Sequence, residues 1–292
     1  MNHSMISASA SMNGLLQKLD VIANNMANQN TDGYKRKEAS FEDLLTTIKQ
    51  QHASQQLTGR QSPLGFTMGS GARLSQIQIN MSQGVLKTTE NPYDLAIEGD
   101  ALFEIGLRTT DADGNEITRP AWTRNGALRV ALIEGDNQNS MLTIADGSPL
   151  IGVDNQPILV PNGRQINIDQ QGNIIAIEAN NPQGAAEIVG RIKIVRATRP
   201  QLLESRGDHL YVLPDALSEP GQVELVMAQL DLMQYEEGSA PVRIRQGFLE
   251  GSNVDFAAEM AELIQVQRAF QLNARALTSA DTMMNLANTL RG

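Results

Sequence analysis

The sequence predicts an α+β protein in which one long helix at each end forms a coiled-coil-like pair, joined through an extended linker to an all-β middle. Three observations predict it. Apolar residues recur in alternating steps of three and four near both ends of the 292-residue chain. Short alternating runs between turn residues fill the middle, and a Gln-, Ser- and Gly-rich stretch separates it from the first helix. Four segments follow: 1–45, helix and turn; 46–73, linker; 74–241, β domain; 242–292, C-terminal helix.

Met5, Ala8, Met12, Leu15, Leu19, Ile22 and Met26 define the first helix, because side chains at that spacing fall on one stripe of an α-helical surface. The stripe gives way to Asn30-Thr31-Asp32-Gly33, turn chemistry in which Gly33 supplies the left-handed backbone that ends a helix. Leu263, Val266, Phe270, Asn273, Leu277, Ala280, Met284 and Ala287 repeat the pattern near the C-terminus, with Ser252 or Asn253 positioned to cap its start.

The polar faces of both helices are nearly free of charge. Only Lys18, Asp20 and Asp32 are charged between Met1 and Gly33, and only Arg268, Arg275 and Asp281 between Leu263 and Leu290. An intramolecular hairpin explains the stripes but leaves those faces unexplained; packing that continues between subunits explains both, since charges there would have to be desolvated. The expected assembly interfaces are therefore Met5, Met12, Leu15, Leu19, Ile22 and Met26 on the first helix and Leu263, Val266, Phe270, Leu277 and Met284 on the second.

Residues 46–73 lack periodicity and read as extended or partly disordered. Beyond them, Leu74–Met81 is largely alternating, Ile166–Ile168 and Ile175–Ile177 flank a turn at Gln171-Gly172-Asn173, and Ile192–Val195 is a half-buried strand. Asp113-Gly114, Asp146-Gly147 and Asn162-Gly163 mark further turns.

Composition excludes several function classes. A net charge of −10 without a basic run argues against nucleic acid, and the absence of cysteine removes disulfides and thiolate chemistry. His3, His52 and His209 lie far apart without a supporting carboxylate, so neither a metal nor a catalytic site is expected. Asp111-Ala112-Asp113-Gly114-Asn115 begins like a calcium loop, but Trp122 stands where the bidentate Glu is needed. No catalytic residue, cofactor or small-molecule substrate is expected.

Ala23-Asn24-Asn25-Met26-Ala27-Asn28, followed by Thr31-Asp32-Gly33-Tyr34-Lys35-Arg36, resembles the N-terminal signature of the bacterial flagellar rod and hook protein family. Asp94-Leu95-Ala96-Ile97-Glu98-Gly99 resembles the family's central block, and Thr123-Arg124-Asn125-Gly126 the element after it. Gln246-Gly247-Phe248-Leu249-Glu250-Gly251-Ser252-Asn253-Val254-Asp255 resembles the C-terminal signature. Ala101-Leu102-Phe103 departs from the usual Gly-Phe-Phe, and the middle is longer than the family pattern around 106–120 and 131–140. The 46–73 stretch resembles the segment of distal-rod members.

The resemblance implies a structural subunit of the flagellar basal-body rod, outside the cytoplasm, that self-assembles through its terminal helices into a torque-transmitting tube. It implies partners among copies of the chain itself, other rod and hook proteins, and the type III export apparatus, with export that needs no cleaved signal peptide. A proximal-rod or hook subunit is the nearest alternative. A secreted β-domain enzyme or binding protein on a helical oligomerisation stalk is the more distant one.

Overall fold

The structure is a computed structural model describing residues 2–43, 47–49, 66–69, 71–110, 116–133, 136–178, 187–207, 209–214, 217, 220–232 and 242–290. In chain order the elements begin with α1 (Asn2–Ala27), β1 (Lys37–Asp43), β2 (Thr47–Lys49), β3 (Phe66–Met68), β4 (Ala72–Ile79), β5 (Leu86–Thr88) and β6 (Leu95–Glu98). They continue with β7 (Leu102–Thr110), β8 (Glu116–Thr123), β9 (Arg129–Ile133), β10 (Asp136–Thr143), β11 (Leu159–Pro161), β12 (Arg164–Ile168) and β13 (Asn173–Glu178). The rest are β14 (Glu187–Arg191), β15 (Ile194–Ala197), β16 (Glu204–Arg206), β17 (Leu210–Val212), α2 (Pro220–Val226), β18 (Met227–Leu230), β19 (Arg243–Gln246), β20 (Phe248–Glu250) and α3 (Phe256–Thr289). The α+β class and the two terminal helices agree with the sequence pattern.

The chain divides into two compact units. The first comprises Met1–Ala27, Lys37–Gln78 and Asp255–Gly292, and the second Asn28–Arg36 and Ile79–Val254.

In the first unit α1 and α3 pack side by side. Asn25 lies against Glu259 and Lys18 pairs with Glu262 at 2.6 Å, so numbers fall on one helix as they rise on the other: the pair is antiparallel. α3 has 34 residues against 26 in α1, so it is longer by roughly 12 Å. Residues 37–43, expected to be turn, form a strand that pairs with β4, and β4 thereby joins the helices although the sequence grouped Leu74 onward with the β domain. Within the expected linker, 47–49 and 66–68 pair antiparallel, and residues 46, 50–65 and 70 lie outside those described.

The cap of α3 differs from expectation. Asp255 Oδ1 accepts the N–H groups of Ala257 and Ala258 at 2.9 and 3.4 Å, which makes Asp255 the N-cap. Ser252 and Asn253 are unavailable for it. Ser252 Oγ accepts the Val254 N–H, while the Asn253 side chain accepts the Arg36 N–H and donates to the carbonyls of Asn80 and Ser82.

The second unit is built on a six-stranded sheet ordered β16-β17-β8-β7-β15-β18. Successive residues of a strand point to opposite faces, and both faces of β7 are covered. Phe103 and Ile105 join a core with Leu95, Ile97, Leu142, Ile174, Ile192 and Ile244, while Leu102 packs with Trp122, Val195, Tyr211 and Met227. Ala101, Leu102 and Phe103 are each at most 2% exposed. The departure from Gly-Phe-Phe therefore sits in a fully packed strand.

Two three-stranded sheets, β11-β10-β9 and β12-β13-β14, complete the unit together with the pairs β19-β6 and β20-β5. The hairpin expected about Gly172 forms, with Ile166 opposite Ala176. The extra middle sequence becomes two hairpins, β7–β8 and β9–β10; the Asp113-Gly114 turn and the calcium-like residues 111–115 lie outside the described residues.

Candidate functional site

In the second unit the sequence blocks that carry the resemblance converge on one buried cluster. The turn after α1 starts it: Thr31 Oγ1 donates to Asn28 Oδ1 at 3.0 Å, and Gly33 takes φ +75° and donates its N–H to the Glu250 carbonyl at 2.7 Å. A Cβ on Gly33 would lie 2.4 Å from the Asn125 nitrogen, so backbone geometry and space both select glycine. The next two residues, Tyr34 and Lys35, are each 1% exposed.

Lys35, Arg124 and Glu250 make the centre of the cluster, each side chain 1% exposed. Lys35 Nζ donates to Glu250 Oε1 at 2.7 Å and to the Ser82 carbonyl at 2.8 Å, and the Gly84 N–H also donates to Oε1 at 2.7 Å. Arg124 donates Nε to Glu250 Oε2, and its remaining nitrogens to the carbonyls of Ala101, Gly99 and Ile97. One guanidinium thus gathers the turn between β6 and β7, in which Gly99 has φ +112°. Five donors in a rigid fork suit that task and an ammonium would not.

The surrounding blocks are tied in by backbone. Asp94 accepts from Asn91 Nδ2 at 2.8 Å, its carbonyl accepts the Gly247 N–H, and Leu95 donates to the Gly126 carbonyl. The Gln246 amide donates to the carbonyls of Pro92 and Ile166 and accepts from the Ile168 N–H. Leu249 pairs with Lys87 across β20 and β5.

Two cations and one anion in a dry site strain the lysine. Burial pushes Lys35 down from its ordinary 10.5 to about 8, the Arg124 charge adds to the effect, and Glu250 and Asp100 oppose it. The unfolded chain then holds the extra proton between pH 8 and 10.5, so this lysine makes stability rise as pH climbs through that window. Burial pushes the neighbouring Tyr211 hydroxyl up, with Tyr34 contributing, so stability falls again once free tyrosine ionises near pH 10. We expect the second unit to gain about 2 kcal/mol between pH 8 and 10 in denaturant melts read by Trp122, and Lys35→Met to abolish that gain. A flat wild-type profile would contradict the assignment.

The first unit holds the remaining expected residues. Asn25, 1% exposed, accepts the Lys37 N–H and donates to the Lys37 carbonyl, both at 2.9 Å, which sets where β1 leaves α1. The expected interface stripes face each other. Ile22 and Val266 are buried at 2% and 4% exposure, and Met5, Met12, Leu15, Leu19, Met26, Leu263, Phe270, Leu277 and Met284 are half-buried. What the helices leave outward is different: Ile6, Leu16, Ile264, Leu272, Met283 and Leu286 are 44–64% exposed. Asn24 is exposed, and Val254 is half-buried.

Sequence reasoning missed the roles of Arg124 and Tyr211. Arg124 lies in a quoted block, but nothing local marks it as the partner of Glu250. Among the described residues no group of three or more His, Asp or Glu could hold a metal, and no helix is long and apolar enough to cross a membrane. The cluster's polar atoms satisfy one another, which suits fixing a fold rather than turning over a substrate.

Residues 6–35 match the family described as "Flagella basal body rod protein", and 245–290 match "Flagellar basal body rod FlgEFG protein C-terminal". The chain is 30% identical to the flagellar hook-basal body complex protein FlhP of Bacillus subtilis over 302 residues, covering 100% of both chains. It is 31% identical over 273 residues to the flagellar basal-body rod protein FlgG of Buchnera aphidicola, covering 93% of each. FlgG of Borreliella burgdorferi is 30% identical over 294 residues, covering 100% of this chain and 99% of the relative.

Proposed function

From the premise that this chain belongs to the flagellar basal-body rod protein family, and so is a structural subunit of the basal body and not an enzyme, we propose that it is of the distal-rod type and polymerises through its terminal helices. One observation carries this reading. α1 and α3 pack side by side yet expose Ile6, Leu16, Ile264, Leu272, Met283 and Leu286 on outward faces that are otherwise polar and carry few charges. Such faces suit contact with helices of neighbouring subunits. The paired stripes then form a short antiparallel coiled coil, and its side-by-side packing with other copies lines a stiff axial tube able to transmit torque. The subunit's partners are copies of itself, adjoining rod and hook proteins, and the export apparatus that carries it out of the cytoplasm. The unit that holds α1 and α3 acts as the assembly region, and 46–73 as a bridge between neighbours.

The outward face gives the test. Leu272, 64% exposed, contributes little to the single chain, so Leu272→Asp should leave the melting of the purified subunit within about 0.5 kcal/mol of wild type. Basal bodies isolated from cells carrying it should lack the subunit or stop short at its level. Normal rods containing the variant would sink assembly through this face. The full-length match to a hook-basal body complex protein favours a second reading, a subunit nearer the hook; immunogold labelling of purified basal bodies decides the axial level.

A further inference from the structure

The second unit is completed by its last residues. β19 supplies the partner of β6, with Ile244 opposite Ile97, and β20 the partner of β5. Ile244, 1% exposed, fills the main core beside Ile97 and Ile174. Gln246 holds three backbone groups at Pro92, Ile166 and Ile168. Asn253 ties Arg36 to Asn80 and Ser82. Among the described residues Glu250 bonds directly to both buried cations, Lys35 and Arg124, which lie 215 and 126 positions earlier. A chain that ends before these residues would have to bury an ammonium and a guanidinium without the carboxylate bonded to both, open the core at Ile244 and leave β5 and β6 without their strand partners. Each of those defects is costly by itself.

We propose that Arg243–Asn253 is a closing clasp, without which the rest of the second unit does not fold, so that folding waits for the nearly complete chain. The contacts it makes are among the most distant in sequence that the unit contains, so they form late and against a large loop-closure entropy. For a chain delivered N-terminus first, by synthesis or through a narrow channel, the device keeps residues 28–36 and 79–242 from folding until the clasp emerges. Early segments are thereby kept from forming a stable β core too soon.

Native-state hydrogen exchange of the intact protein at rising denaturant tests this without a variant. Amides of β19 and β20 are expected to exchange through the same global opening as those of β7, β8 and β15, with a shared denaturant slope. Glu250→Gln should then raise exchange in both sets by one common factor, about 100-fold or more. The proposal is overturned if β19 and β20 open separately at lower denaturant while the six-stranded sheet stays protected. It is equally overturned if the variant accelerates only strands β5, β6, β19 and β20, since the sheet would then stand without its clasp.

Discussion

Glu250→Gln is expected to lower the stability of the second unit by about 3–5 kcal/mol, the usual consequence of leaving a buried charge without its partner. Two cations are affected, because Lys35 and Arg124 both turn to this carboxylate and all three side chains are 1% exposed. Against a typical total of about 5–15 kcal/mol, a loss of that size removes a large share of the unit's stability. Trp122, the single tryptophan of the chain and 0% exposed, reports the transition directly by its emission. Lys35→Met is the informative control. It leaves Arg124 and Glu250 as a neutral pair and removes an ammonium that burial already disfavours, so it should cost less than about 1 kcal/mol. A Glu250→Gln midpoint within about 1 kcal/mol of wild type, or the reverse order of the two variants, would show that the cluster does not hold the unit together.

Val266→Asp carries the other large effect. Val266 is 4% exposed on the face of α3 that meets α1, and a carboxylate there has no cation among the residues lining the adjoining groove except Lys18, already paired with Glu262. Loss of packing and burial of an unpaired charge together should cost about 3–5 kcal/mol. Helices with so few favourable surface pairs are marginal in isolation. The helix pair should therefore separate, with a loss of far-ultraviolet helical signal corresponding to α1 and α3. The Trp122 transition, which reads the second unit, should persist. Retained helical signal would mean that the stripes are not what holds α1 against α3.

The sequence by itself determined the elements whose cause is local. Three-four spacing produces one apolar stripe per helix whatever the surroundings, so Met5 to Met26 and Leu263 to Met284 marked both helices. Turn residues at Gly33 and Gly172 marked where the chain reverses, because few residues tolerate the backbone those turns need. The blocks of the family signature were legible as strings, and they pointed to a rod subunit.

Tertiary structure alone decided what each of those pieces meets. A stripe demands a matching stripe but does not name the chain that supplies it. The partner of Ile22 and its neighbours is the other helix of the same molecule, which leaves Ile6, Leu16, Leu272 and Leu286 as the outward face. The capping of α3 went to Asp255 because Asn253, locally just as suitable, is engaged with Arg36, Asn80 and Ser82. Lys35, Arg124 and Glu250 lie in three separate motifs, and nothing local links them. The pairing of β20 with β5 and the backbone bond from Gly33 to Glu250 bring Lys35 and Glu250, 215 positions apart, together in a dry interior, where Coulomb attraction and desolvation outweigh anything their local sequence expresses.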